Sequence, residues 1–122
     1  EQAMDFENLR CYALKVAKFG GIQPTLDFYT WAREQDKLTW MGGMFDTGVS
    51  KRMHAAFATL PGMDLPADVS DYSEYFNHDT ALELDNGELV LNTVDHPAGL
   101  GCVLDKEYLQ SVLVDEVTIT KD

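Results

Sequence analysis

Lys15, the pair Gly42 and Gly43, and Asp46 have the types and spacing to do chemistry. Lys15 lies near the end of the apolar run Leu9-Arg10-Cys11-Tyr12-Ala13-Leu14-Lys15-Val16, and Gly20-Gly21 follows before a helix pattern opens at Gln23-Pro24. The arrangement then repeats: Leu38-Thr39-Trp40-Met41, the pair Gly42-Gly43 with Met44-Phe45-Asp46, and a helix pattern opening near Thr47-Gly48. A lysine at the end of a buried strand is a candidate general base, because burial disfavours the ammonium and favours proton exchange near neutral pH. The same lysine can instead pack its stem and reach water with its charge. Two glycines at a strand end let a substrate approach the backbone, or simply make a tight strand-to-helix turn.

The elements that must position these residues follow from the pattern. Short apolar runs alternating with helix patterns signal βαβ units and a parallel sheet. Reactive groups in barrels of such units sit at the C-terminal ends of strands, where Lys15 and Asp46 both fall. Leu9–Val16 is expected as a strand buried on both faces, with Cys11 a small buried hydrophobe. Pro24 suits a first helical turn, and Phe28, Trp31 and Ala32 recur at helical spacing. Leu38–Met41 is the second strand. Val49, Met53, Ala56, Phe57 and Leu60 form the stripe of a second helix that Pro61-Gly62 ends. Leu65–Ser70 is a candidate third strand and Tyr72–Phe76 a short helix or turn. Ala81–Leu84 and Glu88–Leu91 flank Asn86-Gly87, the pattern of a β-hairpin. Lys106–Val112 is expected as a short helix and Val114–Thr120 as a final strand.

The string Lys15-Val-Ala-Lys-Phe-Gly-Gly21, followed about one βα unit later by Trp40-Met-Gly-Gly-Met-Phe-Asp-Thr-Gly48, resembles the enolase superfamily. Ala58-Thr-Leu-Pro-Gly62, Leu65-Pro-Ala-Asp68, Ser70, Tyr75-Phe76, Asn86-Gly87 and Gly99-Leu-Gly101 extend the likeness to about residue 105. These stretches are similar to the C-terminal third of o-succinylbenzoate synthases and the related N-acylamino acid racemases. The resemblance implies an α/β chain. Residues 1–76 would be the last βα units of a TIM-like (β/α) barrel, and residues 77–122 a hairpin and C-terminal capping segment.

It also implies roles. Lys15 matches the lysine on the sixth barrel strand, which acts as acid or base on one face of a small carboxylate substrate or stabilises the enediolate. Gly42, Gly43 and Asp46 match the next strand end and are expected at the substrate pocket. Asp46 stands where these enzymes usually carry Glu. Lys18 stands where Arg is usual, and Asp68 and Ser70 match a stretch with a mainly structural role. The implied reaction removes a proton alpha to a carboxylate with Mg2+ as cofactor. The three carboxylate ligands and a second lysine would lie upstream of Glu1, so no metal ligand is expected here. Dehydration of a cyclohexadiene carboxylate on the menaquinone pathway is the first reading. N-acylamino acid racemisation or dipeptide epimerisation is the second, and a non-catalytic module the third.

Composition sets further bounds. At 122 residues and a net charge of −12, the chain has room for one domain of ordinary size. Residues 1–61 carry seven acids and seven Lys or Arg, whereas residues 62–122 carry fourteen acids against Lys106 and Lys121. That acidic half argues against nucleic acid as a partner. No apolar run approaches the ~18 residues of a membrane span, and residues 1–5 lack a signal-peptide pattern. Cys11 and Cys102 are too few for a disulfide framework, so a reduced cytoplasmic protein is expected. Gly99-Leu100-Gly101 lacks the third glycine of a dinucleotide loop, and Gly48-Val-Ser-Lys lacks the closing glycine of a hydrolase elbow. His54, His78 and His96 have no ligand spacing, and His54 reads as a helix-surface or packing residue.

Three parallel strands leave open edges. Phe28, Trp31, Trp40 and the Val49–Leu60 stripe are expected to expose apolar surface. Leaving ~400 Å² uncovered forgoes on the order of 10 kcal/mol. The chain is therefore expected to pack against the upstream part of its own enzyme or another copy of itself, and to be inactive alone.

Overall fold

A computed structural model describes residues 8–70, 89, 91 and 99–120. Its centre is a parallel pair, β1 (Cys11–Leu14) and β2 (Leu38–Met41), with Cys11 opposite Leu38 and Leu14 opposite Met41. Parallel strands need a crossover. Here it is α1 (Val16–Phe19) followed by α2 (Ile22–Glu34). α3 (Gly48–Ala58) follows β2, and α4 (Lys106–Ser111) comes near the C-terminal end. The chain is thus α/β in the expected order, with α1 an unforeseen single turn.

That turn has a local cause. Lys15 is still extended, yet its carbonyl already accepts from the N–H groups of Lys18 (2.8 Å) and Phe19 (3.1 Å). Gly20 closes α1 at φ 88° and Gly21 opens α2 at φ 128°, both values that a Cβ would strain. Pro24 lies in the first turn of α2, where a missing N–H costs no helical bond.

Strand alternation decides what is buried. Tyr12 and Leu14 of β1, and Thr39 and Met41 of β2, face the helices, while Cys11, Ala13 and Leu38 are exposed. The expected burial of β1 on both faces is therefore corrected. Among the described residues, α2 and α3 cover one face only, which leaves Cys11 exposed rather than buried. Tyr12, Leu14, Val16, Met41, Phe57 and Met63 form the core. Phe28 packs at 5.2 Å from Tyr12 and 5.1 Å from Trp31, and Trp31 lies 5.9 Å from Tyr12. Such ring pairs each add about 0.5–1.5 kcal/mol beyond area burial. The Tyr29 hydroxyl ties α2 to Pro61 O, just past α3.

α3 differs from its stripe. Phe57 is buried, but so are Lys51, Arg52 and His54, while Ala56 is exposed. Arg52 can be buried because it donates from Nε to Leu100 O (2.7 Å) and from Nη2 to Gly101 O (2.7 Å) and Leu91 O (3.2 Å). The polar face of α3 thereby holds the C-terminal part of the chain.

The expected third strand at Leu65–Ser70 does not form as a strand. One sheet-type bond survives, from Asp68 N–H to Met41 O at 2.9 Å, and it lays this segment beside the end of β2. Lys106–Ser111 is helical as expected, with the Asp105 carboxylate accepting from Tyr108 N–H at 2.9 Å. Val114–Thr120 is not a strand, because no described segment pairs with it. The expected hairpin, apart from Leu89 and Leu91, the short helix at Tyr72–Phe76 and the boundary at 76/77 lie outside the described residues.

Exposed apolar area does exist, but on other residues than expected. Phe28 and Trp31 pack in the aromatic cluster, whereas Leu38, Phe45 (71% exposed), Val114, Val117 and Ile119 are open. No helix among the described residues is long and apolar enough to cross a membrane.

Candidate active site

The first expected site residues meet at one sheet end. Gly42 N–H donates to Leu14 O at 2.8 Å, which carries the β1–β2 ladder one step past β2 and sets Gly42 beside Lys15. The Lys15 ammonium donates to Gly43 O at 2.6 Å, and Met44 Sδ lies 3.5 Å from it. A Cβ on Gly42 would stand 3.0 Å from Lys15 Cε and 3.3 Å from Cγ, so the lysine stem lies across this glycine. A Cβ on Gly43 would overlap the Asp68 carbonyl oxygen and sit 3.1 Å from its Oδ2. The glycine pair thus admits Lys15 on one side and Asp68 on the other.

Asp46 completes the group. Its Oδ2 accepts from Met44 N–H at 2.7 Å, and its own N–H donates to Met44 O at 2.8 Å. The carboxylate is turned toward its own loop and toward α3. Asp68 also accepts from the Ser70 hydroxyl at 3.3 Å.

His54 is the site residue that sequence reasoning missed. It is 3% exposed, and its Nδ1 stands 3.6 Å from Asp46 Oδ2, too far for a hydrogen bond. Nδ1 has no hydrogen-bond partner among the described residues. One signal was available: His54 lies seven residues after the α3 cap Thr47, two helical turns, and so returns to the face next to the Asp46 loop. Burial pushes its pKa below the usual 6.5; Asp46 opposes this, Lys15 adds to it, and Asp68 opposes it.

A sign follows for stability. A histidine whose folded pKa is lowered binds fewer protons folded than unfolded. Its contribution is full above pH 6.5 and is lost as the pH falls below that value toward the folded pKa. Denaturant unfolding at pH 7.5 and 5.5 should show a larger drop in the wild-type protein than in His54→Asn. Equal drops would contradict it.

A directed ammonium, two carboxylates and a neutral imidazole suit proton transfer and stabilisation of developing negative charge. No protein-family model matches the chain. It is 33% identical over 110 residues to an o-succinylbenzoate synthase of Enterococcus faecalis, covering 88% of this chain and 29% of that one. It is 32% identical over 103 residues to an N-succinylamino acid racemase of Thermus thermophilus, covering 84% of this chain and 28% of that one. A solved structure from Listeria innocua, described as a member of the enolase superfamily, matches with TM-score 0.76 at 29% identity. That match covers 90% of this chain and 30% of the other.

The chain belongs to the enolase superfamily.

It spans about 29% of the length of these enolase-superfamily relatives and corresponds to their C-terminal part. Such neighbours imply an α/β fold with a TIM-barrel part. Enolase-superfamily members generally use Mg2+. Among the described residues no three His, Cys, Asp or Glu side chains converge to hold a metal ion. The described residues do not fit an Mg2+ site.

Proposed function

We propose that this chain is the C-terminal part of an enzyme that moves a proton alpha to a carboxylate, with Lys15 as the proton-exchanging or charge-stabilising group on one face of the substrate. The observation that carries this is the Lys15 ammonium, fixed at the C-terminal end of β1 by the Gly43 carbonyl at 2.6 Å. A strand and a helical turn hold its backbone on both sides, so the ammonium is placed before substrate arrives. Such pre-placement lowers the barrier because no reorganisation is needed when charge develops. Gly42 and Gly43 frame the edge of the substrate site, with the Asp46 carboxylate behind them on the Met44 amide. The missing ligands, the second lysine and the remaining strands come from the upstream part of the same enzyme, which also covers the open face of the sheet. The chain alone is inactive.

Among the reactions open to such a site, dehydration of a cyclohexadiene carboxylate to o-succinylbenzoate is the first reading, in a menaquinone-forming cell. The Enterococcus faecalis relative supports it by name. The Thermus thermophilus relative supports the second reading, racemisation of an N-succinylamino acid. Both begin by loss of the same kind of alpha proton.

The test uses the complete enzyme that contains this chain. Dehydration of the cyclohexadiene carboxylate and racemisation of N-succinylamino acids are measured side by side. Faster dehydration is the expected result. Faster racemisation would favour the second reading, and the absence of both activities would overturn the proposal.

A further inference from the structure

One peptide group links Lys15 to Asp46. The Gly43 carbonyl and the Met44 N–H belong to the same amide. Its oxygen accepts from the Lys15 ammonium at 2.6 Å, and its N–H donates to Asp46 Oδ2 at 2.7 Å. The order is therefore ammonium, peptide dipole, carboxylate. A carboxylate on the N–H end draws electron density toward the carbonyl oxygen, so each hydrogen bond strengthens the other. We infer that Asp46 is a positioning residue for Lys15: its carboxylate orients and polarises the 43–44 peptide, whose carbonyl in turn aims the ammonium.

Three further observations hold this chain of contacts in place. The Asp46 N–H bond back to Met44 O, at 2.8 Å, fixes the turn and keeps the carboxylate under the Met44 amide. Asp68 closes against Gly43, where any Cβ would overlap its carbonyl oxygen. His54, buried on α3 with Nδ1 at 3.6 Å from Asp46 Oδ2, walls the carboxylate on its far side.

This inference rests on the proposed function for its activity readout, but not for its structural one. In the complete enzyme, Asp46→Asn keeps the shape of the side chain and removes its charge. It is expected to lower kcat about tenfold while KM stays within about twofold, as for an interaction felt only in the reacting state. Because the effect runs through Lys15, Lys15→Ala/Asp46→Asn should be no slower than Lys15→Ala. With methionine-selective 15N labelling, the Met44 amide proton should move upfield in Asp46→Asn, reporting a weaker hydrogen bond. A rise in KM with kcat unchanged would put Asp46 against the substrate and overturn the proposal. So would additive losses in the double variant, or a Met44 amide signal that does not move. If the wild-type enzyme proves inactive, the proposed function falls, and the Met44 signal alone decides this inference.

Discussion

Replacing Lys15 by alanine in the complete enzyme should lower turnover by about 10²–10⁴-fold, the usual worth of a positioned acid–base group. That is roughly 3–5 kcal/mol of transition-state stabilisation. The fold should survive, because the lysine side chain is only half-buried and the bonds that shape β1 and α1 come from its backbone. Lys15→Arg should not restore proton exchange, since a guanidinium stays protonated at any working pH. Steady-state kinetics with circular dichroism of each variant check both statements. Turnover of Lys15→Ala near the wild-type rate would remove the lysine from the chemistry.

The second large effect concerns stability. Arg52 is buried on α3 and, among the described residues, donates to the carbonyl oxygens of Leu91, Leu100 and Gly101. Hydrogen bonds to a charged group are each worth about 1.5–3 kcal/mol, and buried acceptors left unpaired add their own desolvation cost. Arg52→Met keeps the stem and removes the donors. It should destabilise the protein by about 3 kcal/mol or more, which is large for a single substitution. It should also open the chain near Leu100 and Gly101 to limited proteolysis. Denaturant midpoints and a protease time course measure the two effects. An unchanged midpoint would show that these bonds are replaced by water without loss.

Residues 9–62 were legible because period and punctuation agree there. Leu38–Met41 is bounded by Asp36 and a glycine pair, and the observed strand is the expected one. The placement of Lys15, Gly42, Gly43 and Asp46 at one sheet end also followed from strand–helix alternation. What failed was whatever depends on a neighbour that pattern cannot supply. Cys11 reads as buried in an apolar run, but a strand face is buried only when something covers it. Val114–Thr120 has strand composition, yet a strand needs a pairing edge. On α3, His54 reads as a helix-surface or packing residue, and nothing in the helical stripe marks Arg52 as buried. Tertiary partners bring them inside: three carbonyls far along the chain for Arg52, and the Asp46 loop for His54. The hydrogen bonds of the 43–44 peptide leave no mark on periodicity, since they depend on the turn of one amide.

The most direct test of the central claim is hydrogen–deuterium exchange at the substrate alpha carbon. The complete enzyme and its Lys15→Ala variant are incubated with each enantiomer of an N-succinylamino acid in D2O, and loss of the alpha-proton NMR signal is followed. Steady exchange is expected in the wild type; in the variant, exchange of the enantiomer whose alpha proton faces Lys15 should be at least about 100-fold slower, with unchanged circular dichroism. Exchange of both enantiomers at the wild-type rate in Lys15→Ala would contradict this role.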